Sequence, residues 1–110
     1  MFQSQNMKDL NFKNFADEQS LLIFKIGGDQ KNFNILNFII NKKTTATDDI
    51  MKKFELTTMP ANRRINQLAS VGLIERSKDK KDISATKLGM EFIKLVRLVR
   101  ENLIKQYKQR

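Results

Sequence analysis

Residue types that form specific hydrogen bonds with DNA bases occur together between positions 62 and 67 of the sequence. They are Asn62, Arg63, Arg64, Asn66 and Gln67. Arginine can form two hydrogen bonds with guanine, and asparagine or glutamine can form two with adenine, on the base edges in the major groove. Surface helices of many proteins carry the same residue types, so the cluster also fits a solvated face. It indicates base recognition only within a DNA-binding framework.

A short amphipathic helix is predicted to carry this cluster. Thr57 or Thr58 caps its start, and Pro60 lies in its first turn, where a missing N–H is tolerated. One stripe of the helix is apolar and consists of Ala61, Ile65, Leu68 and Ala69. The opposite face contains Met59, Pro60, Arg63, Asn66, Gln67 and Ser70, with Asn62 and Arg64 on its flanks. Gly72 ends the helix, and we expect it to adopt the left-handed conformation.

Two further helices are predicted before this one. The first begins at Lys31, and its apolar residues recur at three- and four-residue spacing: Phe33, Leu36, Ile39 and Ile40. After a short extended link, Thr47 is the expected N-cap of the second helix. Asp48 and Asp49 then lie in its first turn, where the helix dipole favours negative charge. The second helix ends at Phe54 and buries Ile50, Met51 and Phe54.

Two short strands, residues 73–77 and 83–86, are predicted to form a hairpin after Gly72. The tip between them contains no Asn-Gly or Asp-Gly pair, so we expect a longer and looser turn than a two-residue one. The tip carries Lys78, Lys80 and Lys81. These lysines suit contact with backbone phosphates, because each neutralised phosphate releases counterions. The alternative is that they serve only solubility.

A final helix is predicted from Thr86 to Tyr107, about 32 Å long at 1.5 Å per residue. Its apolar stripe outruns what one small core needs, so we expect it to be buried against a second copy of the chain. The predicted dimerisation residues are Phe92, Leu95, Val96, Val99, Leu103, Ile104 and Tyr107. The alternative is that this helix folds back over residues 15–26 of the same chain.

The first 30 residues are predicted to form an arm that packs on the dimerisation helix. Residues 21–26 fit either a strand or a helix that stops at Gly27, and we prefer the helix. Phe2, Phe12 and Phe15 indicate that the arm packs on another surface, since exposed phenylalanine is costly. The glycine pair at 27–28 indicates a turn rather than a phosphate loop, because no GxxxxGK[ST] pattern follows it.

Composition limits the function to a few classes. The chain has 110 residues, enough for one domain, and its formal net charge is +9. The basic excess begins after residue 30, so a polyanion is the expected partner. The absence of His and Cys excludes zinc fingers, thiol chemistry and histidine-dependent catalysis. No apolar run approaches the length of a membrane span. We therefore expect a cytoplasmic protein, associated with the nucleoid, that is not an enzyme and uses no cofactor or metal.

The residues from Thr58 to Phe92 resemble the winged-helix transcription regulators of the MarR-like and related archaeal and bacterial groups. The shared pattern is Leu-x-x-x-Gly-Leu-Ile-x-Arg, a wing, and Thr-x-x-Gly at the start of the last helix. It is matched by Leu68, Gly72, Leu73, Ile74, Arg76, Thr86 and Gly89. With the first two helices the resemblance covers residues 31–92. The chain differs from larger members of the group in its short wing and in lacking an evident small-molecule pocket, so no effector is specified.

The resemblance and the residue pattern together predict a mainly α fold with a small β-hairpin, a winged helix-turn-helix with a long C-terminal dimerisation helix. The expected divisions are an arm at 1–30, a DNA-binding domain at 31–86 and a dimerisation helix at 87–110. The expected function is that of a homodimeric regulator of transcription that binds double-stranded DNA in a sequence-specific way. Its predicted DNA contacts are Thr57, Thr58, Asn62, Arg63, Arg64, Asn66, Gln67, Lys78, Lys80 and Lys81. The alternative is a winged-helix adaptor in a replication or transcription assembly.

Overall fold

The structure is a computed structural model that describes the backbone of residues 2–109 and the side chains of residues 11–109. Its elements, in chain order, are α1 (Phe2–Gly27), α2 (Gln30–Lys42), α3 (Thr47–Phe54), α4 (Thr58–Ser70), β1 (Ile74–Arg76), β2 (Ile83–Ala85) and α5 (Lys87–Lys108). The predicted fold class, mainly α with a small hairpin, is confirmed.

The first element is a helix, so the helical interpretation of residues 21–26 is confirmed and the strand alternative is wrong. The N–H of Gly28 closes the last turn on the carbonyl oxygen of Phe24 at 2.8 Å. Phe12 and Phe15 are 70% and 57% exposed, so contacts with the described side chains leave more than half of each uncovered. The side chain of Phe2 lies outside the described residues.

The N-cap of α3 differs from the prediction. Ala46 occupies the cap position, and Thr47 is already the first helical residue. The carboxylate of Asp49 explains the shift, because it accepts hydrogen bonds from the N–H of Ala46 and the hydroxyl of Thr45, both at 3.4 Å. A side chain three residues into the helix therefore satisfies the backbone at its start. Ile50 is buried, whereas Met51 and Phe54 are half-buried.

An apolar core joins α2, α3, α4, the hairpin and the first turns of α5. Its buried members are Ile35, Leu36, Ile39, Ile50, Ile65, Leu68, Val71, Leu73, Ile74, Ile83, Phe92 and Ile93. From the predicted stripe of α4, Ala61, Ile65 and Leu68 are completely buried. Burial of each large aliphatic side chain contributes about 1.5–3 kcal/mol. This core fixes the inner face of α4 and leaves its outer face exposed.

The hairpin follows α4 through a left-handed glycine. Gly72 has a φ of +79°, as predicted, and its N–H bonds to the carbonyl oxygen of Ala69. In the antiparallel register, Ile74 pairs with Ala85 and Arg76 with Ile83. Ile83 also exchanges two backbone hydrogen bonds with Thr45, at 2.9 and 2.7 Å. The link before α3 therefore adds a one-residue third strand that the sequence did not reveal.

The start of α5 is fastened to the end of α4. The hydroxyl of Thr86 accepts a hydrogen bond from the N–H of Gly89 at 3.0 Å and donates to the carbonyl oxygen of Gly72. A Cβ on Gly89 would lie 2.1 Å from the carbonyl oxygen of Leu73, so only glycine allows this approach. The Thr-x-x-Gly pattern thus joins a helix cap to a close backbone contact.

Two helices project from the core. The Cα radius of gyration is 17.2 Å, against about 13 Å for a compact domain of this size. The end of α1 packs on the start of α5 through Phe24 and Phe92, whose ring centroids lie 5.6 Å apart. Beyond this contact, the described side chains of α1 and the second half of α5 are mostly exposed.

Candidate nucleic-acid interface

The outer face of α4 is an exposed stripe at helical spacing, which consists of Met59, Arg63, Asn66 and Ser70 and is called the reading face below. Met59, at the start of the stripe, is 83% exposed. Thr57 and Thr58, at the start of the helix, are also exposed. Thr57 occupies the N-cap position, although its side chain makes no capping hydrogen bond. Asn62 and Gln67 flank the stripe and are half-buried.

Arg64 lies on the inner flank of α4, where it binds within the protein. Its Nη1 atom is 2.8 Å from a carboxylate oxygen of Asp29 and 3.1 Å from the side-chain oxygen of Asn32. The Arg64 side chain is 16% exposed. Its guanidinium therefore holds α4 against the junction of α1 and α2, which the sequence did not predict.

Asn32 is the centre of this polar network and is 2% exposed. Its side-chain nitrogen donates to the carbonyl oxygen of Ile26 at 3.0 Å and to Oε1 of Gln67 at 3.1 Å. Its side-chain oxygen accepts from Arg64. The amide thus links the end of α1 to two residues of α4, and its hydrogen-bonding groups are satisfied despite burial. Sequence reasoning missed Asn32 because it lies in an otherwise apolar helix pattern.

Asp29 joins the same network. Its carboxylate caps α2 by accepting from the N–H of Asn32 at 3.1 Å. This hydrogen bond, together with the nearby Arg64 guanidinium, lowers the pKa of Asp29 below its ordinary value of 3.8. Ionised Asp29 therefore stabilises both the start of α2 and the position of α4.

The hairpin contacts the reading face through Arg76. Its Nη2 atom donates to Oδ1 of Asn66 at 3.3 Å. The hydroxyl of Ser70 donates to the carbonyl oxygen of Gln67 at 2.7 Å, so it is turned toward its own helix. The β1–β2 hairpin, which is the wing of the fold, therefore lies next to the reading face of α4.

The wing tip between Arg76 and Ile83 is longer than a two-residue turn, as predicted, but hydrogen bonds around Asp79 order it. Ser77 Oγ and the N–H of Lys81 donate to the carboxylate of Asp79, and the N–H of Asp82 donates to Ser77 Oγ. These donors lower the pKa of Asp79 below its ordinary value of 3.8. Lys80 adopts a positive φ of 62° at the turn. The three predicted tip lysines are exposed around this framework: Lys78, Lys80 and Lys81.

The predicted dimerisation residues separate into two groups. Phe92 is 5% exposed and packs in the core of the monomer, and Val96 is half-buried against that core. Phe92 is therefore not exposed to a dimer interface, because Phe24 of the same chain packs against its ring. The remaining five are 39–65% exposed: Leu95, Val99, Leu103, Ile104 and Tyr107. Leu98, which the predicted stripe did not include, is 57% exposed.

The start of α5 packs against the end of α1 of the same chain. A mainly apolar groove of about 190 Å³ lies between the helices and is lined by Ser20, Ile23, Phe24, Leu88, Glu91, Phe92 and Leu95. The alternative prediction, in which α5 packs on residues 15–26, thus describes the start of α5. The exposed residues beyond Leu95 continue past this contact.

Across the described residues, acidic side chains do not gather in a group able to hold a metal ion. Within the same part of the chain, the helices are too short or too polar to cross a membrane.

The chain is similar in sequence and in structure to known winged-helix proteins. The family model of the winged helix-turn-helix matches residues 32–105. No curated protein sequence matches the chain significantly. A transcriptional regulator homologue from Pyrococcus horikoshii OT3 has a similar structure, with a TM-score of 0.66 and 23% identity over 81% of this chain and 96% of that one.

Two further solved structures share the fold. The homodimeric winged helix-turn-helix DNA-binding domain of a possible ArsR-family regulator from Mycobacterium bovis has a TM-score of 0.70 and 18% identity, over 81% of this chain and 84% of that one. A multiple antibiotic-resistance repressor (MarR) from Listeria monocytogenes has a TM-score of 0.63 and 15% identity, over 97% and 83%. The resemblance predicted from the sequence is confirmed, since the family model spans most of the chain. The chain belongs to the winged helix-turn-helix family.

Proposed function

We propose that the protein binds double-stranded DNA in a sequence-specific way and regulates transcription as a homodimer in the cytoplasm, associated with the nucleoid. The observation that carries the proposal is the reading face of α4, whose polar side chains are exposed while the opposite face is fixed in the core. A helix of this size fits the major groove, which is about 12 Å wide. The proposal includes no enzymatic activity.

Each part of the interface has a role in this proposal. Arg63, Asn66 and Gln67 contact base edges, with Asn62 beside them. Thr57 and Thr58 contact the phosphates at the start of α4. Lys78, Lys80 and Lys81 contact the flanking backbone from the wing. Arg64 was predicted to contact phosphates; since its guanidinium already binds Asp29 and Asn32, we assign it to holding α4 in position.

The homodimer is proposed from the exposed apolar side chains of the projecting helices. They are Phe12, Phe15, Leu21 and Leu22 on α1, with Leu95, Leu98, Val99, Leu103, Ile104 and Tyr107 on α5. Burial at about 25 cal/mol per Å² favours covering such a surface, and closed twofold dimers are the commonest assemblies. The homodimeric Mycobacterium bovis domain, which shares this fold, supports the same arrangement.

Selection from random-sequence duplexes, followed by fluorescence anisotropy on the enriched sequence, tests the proposal. We expect one enriched motif with twofold symmetry, bound far more tightly than scrambled duplex. Affinity is expected to fall by orders of magnitude between about 50 and 200 mM salt if six or more phosphates are contacted.

The two alternatives give different results in this experiment. Binding without sequence preference would exclude a reading role for α4. Absence of DNA binding even at low salt would favour the adaptor, in which the exposed face of α4 or the apolar side of α5 docks a protein.

A further inference from the structure

We propose that the reading face of α4, together with the flanking Gln67, presents hydrogen-bond donors to DNA. The protein therefore selects guanine in its target. This inference rests on the proposed function and specifies which base chemistry the site recognises. It concerns Arg63, Asn66 and Gln67. The amide oxygens of Asn66 and Gln67, which would be needed to accept from adenine, each accept a hydrogen bond from another residue of the protein.

The orientation of Gln67 follows from its neighbours. Arg64 has only donors, so the Asn32 atom 3.1 Å from its Nη1 is the amide oxygen. The carbonyl oxygen of Ile26 is an acceptor, so the Asn32 atom 3.0 Å from it is the amide nitrogen. The same nitrogen lies 3.1 Å from Gln67 and requires an acceptor there, which is Oε1. The NH₂ group of Gln67 is then the part available to a partner.

The orientation of Asn66 follows by the same reasoning. Its nearest side-chain partner is Nη2 of Arg76, at 3.3 Å, and a guanidinium can only donate. The Asn66 atom in this contact is therefore the oxygen Oδ1. Because Asn66 is exposed, its NH₂ group is open to a ligand on the reading face.

With these orientations, the reading face and the flanking Gln67 present hydrogen-bond donors to a ligand. We call this the donor face. Arg63 is exposed and has only donors, and helical spacing places it one turn before Asn66 and Gln67 on the same side of α4. In the major groove, guanine offers two acceptors, N7 and O6, and thymine offers O4. Adenine recognition by an amide requires an oxygen that accepts from N6, and cytosine presents an N4 donor. A donor face therefore prefers guanine above all.

Asn62 provides a contrast on the same helix. Among the described residues, its side chain makes no hydrogen bond, so neither end of its amide is committed. Because Asn62 itself lies beside the proposed base contacts, the control for charge is Asn34, which is exposed on α2 and outside those contacts.

The first test uses modified bases with the unmodified protein. Sites enriched from random duplexes are expected to contain guanine at the bases that α4 contacts. Replacing one such guanine with 7-deazaguanine removes the N7 acceptor, and we expect about a tenfold loss of affinity. The same replacement outside the contacted bases is expected to leave affinity unchanged. Selected sites whose guanines tolerate 7-deazaguanine throughout would overturn the inference.

The second test replaces the outward NH₂ groups. Asn66→Asp and Gln67→Glu each keep an oxygen for Arg76 or Asn32 and replace the donor by a second acceptor. The added negative charge weakens binding to every duplex, and Asn34→Asp, the same change at an exposed position of α2 outside the proposed DNA contacts, measures this general loss. Beyond that loss, we expect about a further tenfold loss on the selected site and a shift of one base pair from guanine toward cytosine.

The outcomes separate the inference from the proposed function. If Asn66→Asp or Gln67→Glu alters the preference at an adenine, the donor face is wrong while specific DNA binding stands. If both variants match Asn34→Asp on every sequence, the proposed donor face is also wrong. If the unmodified protein enriches no sequence, the proposed function itself fails. Thermal melts by circular dichroism confirm folding, and the modified-base test does not depend on the variants.

Discussion

Arg64 and Asp29 are 35 residues apart in the sequence, yet their side chains meet at 2.8 Å. The contact ties the helix that carries the reading face to the junction between α1 and α2. The same carboxylate also caps α2. The position of α4 therefore depends on a charged group outside the helix-turn-helix unit itself.

Stability is expected to fall at acid pH through Asp29. Its pKa is lower in the folded chain than the ordinary value of 3.8, because the N–H of Asn32 and the Arg64 guanidinium favour the carboxylate. The stabilisation is therefore present above about pH 4 and is lost as the pH falls through the folded pKa. We expect about 1 kcal/mol or less, because the side chain is 46% exposed. Urea unfolding of Asp29→Asn and the unmodified protein between pH 2.5 and 7 measures it; equal pH dependence in both would contradict the assignment.

Gly89→Ala is expected to lower the free energy of unfolding by about 2–3 kcal/mol. The new Cβ would meet the carbonyl oxygen of Leu73 at 2.1 Å, and overpacking of this kind forces the backbone apart. Met90→Ala, at an exposed position of the same helix turn, is the control and is expected to change stability by less than about 1 kcal/mol. Equal urea midpoints for both variants would show that α5 can move away without cost.

Arg63→Ala and Lys80→Ala are expected to weaken DNA binding in different ways. Loss of Arg63 removes a base contact, so it should cost about 1–3 kcal/mol on the selected site and flatten sequence preference. Loss of Lys80 should weaken all duplexes similarly and reduce the salt slope by about one. Anisotropy titrations on selected and scrambled duplexes at several salt concentrations distinguish them. Identical behaviour of the two variants on both duplexes would argue against base reading by α4.

Asp79→Ala is expected to loosen the wing tip without unfolding the protein. The substitution removes the acceptor that Ser77 and the N–H of Lys81 share. Amide hydrogen exchange across residues 78–82 should accelerate, and exchange in the α4 core should stay unchanged. Asp79→Asn retains an acceptor and should preserve more of the protection. Unchanged exchange in Asp79→Ala would mean that backbone pairing alone holds the tip.

Val99→Glu combined with Leu103→Glu is expected to give a folded monomer. Both side chains are at least half exposed on α5, and charge in a dimer seam is costly to bury. Lys105→Glu changes the net charge by the same amount on the polar side of the helix and should leave the dimer intact. Analytical ultracentrifugation at micromolar concentration measures the mass. An unmodified protein that is already monomeric there would contradict the proposed dimer.

Local patterns in the sequence predicted most elements of the fold. Gly72 and the Thr86 cap are recognisable because their backbone requirements restrict the residue type. The inner stripe of α4 is recognisable because one helical period places Ala61, Ile65 and Leu68 together. Each of these features depends on residues within a few positions of one another.

The features that escaped prediction depend on distant residues. Asn32 meets Gln67 across 35 positions, and nothing in either local pattern indicates the pairing. Arg64 was therefore predicted to contact phosphates and Phe92 to lie in the dimer seam, whereas Asp29 binds Arg64 and Phe24 packs on Phe92 within the same chain. The prediction that Thr47 caps α3 was wrong for a different reason. The acceptor that satisfies the start of the helix, Asp49, lies within the helix itself.

The pairing of Thr45 with Ile83 has a consequence for the order of folding. A two-stranded hairpin of three-residue strands is marginal in water, so the wing depends on this extra partner for support. The partner lies about 38 positions earlier in the chain, and the loop between them contains α3 and α4. Contacts of such high sequence separation form only after the intervening chain is compact. The wing is therefore expected to acquire its native pairing late, after the helices have docked, and to be the first part lost when they separate.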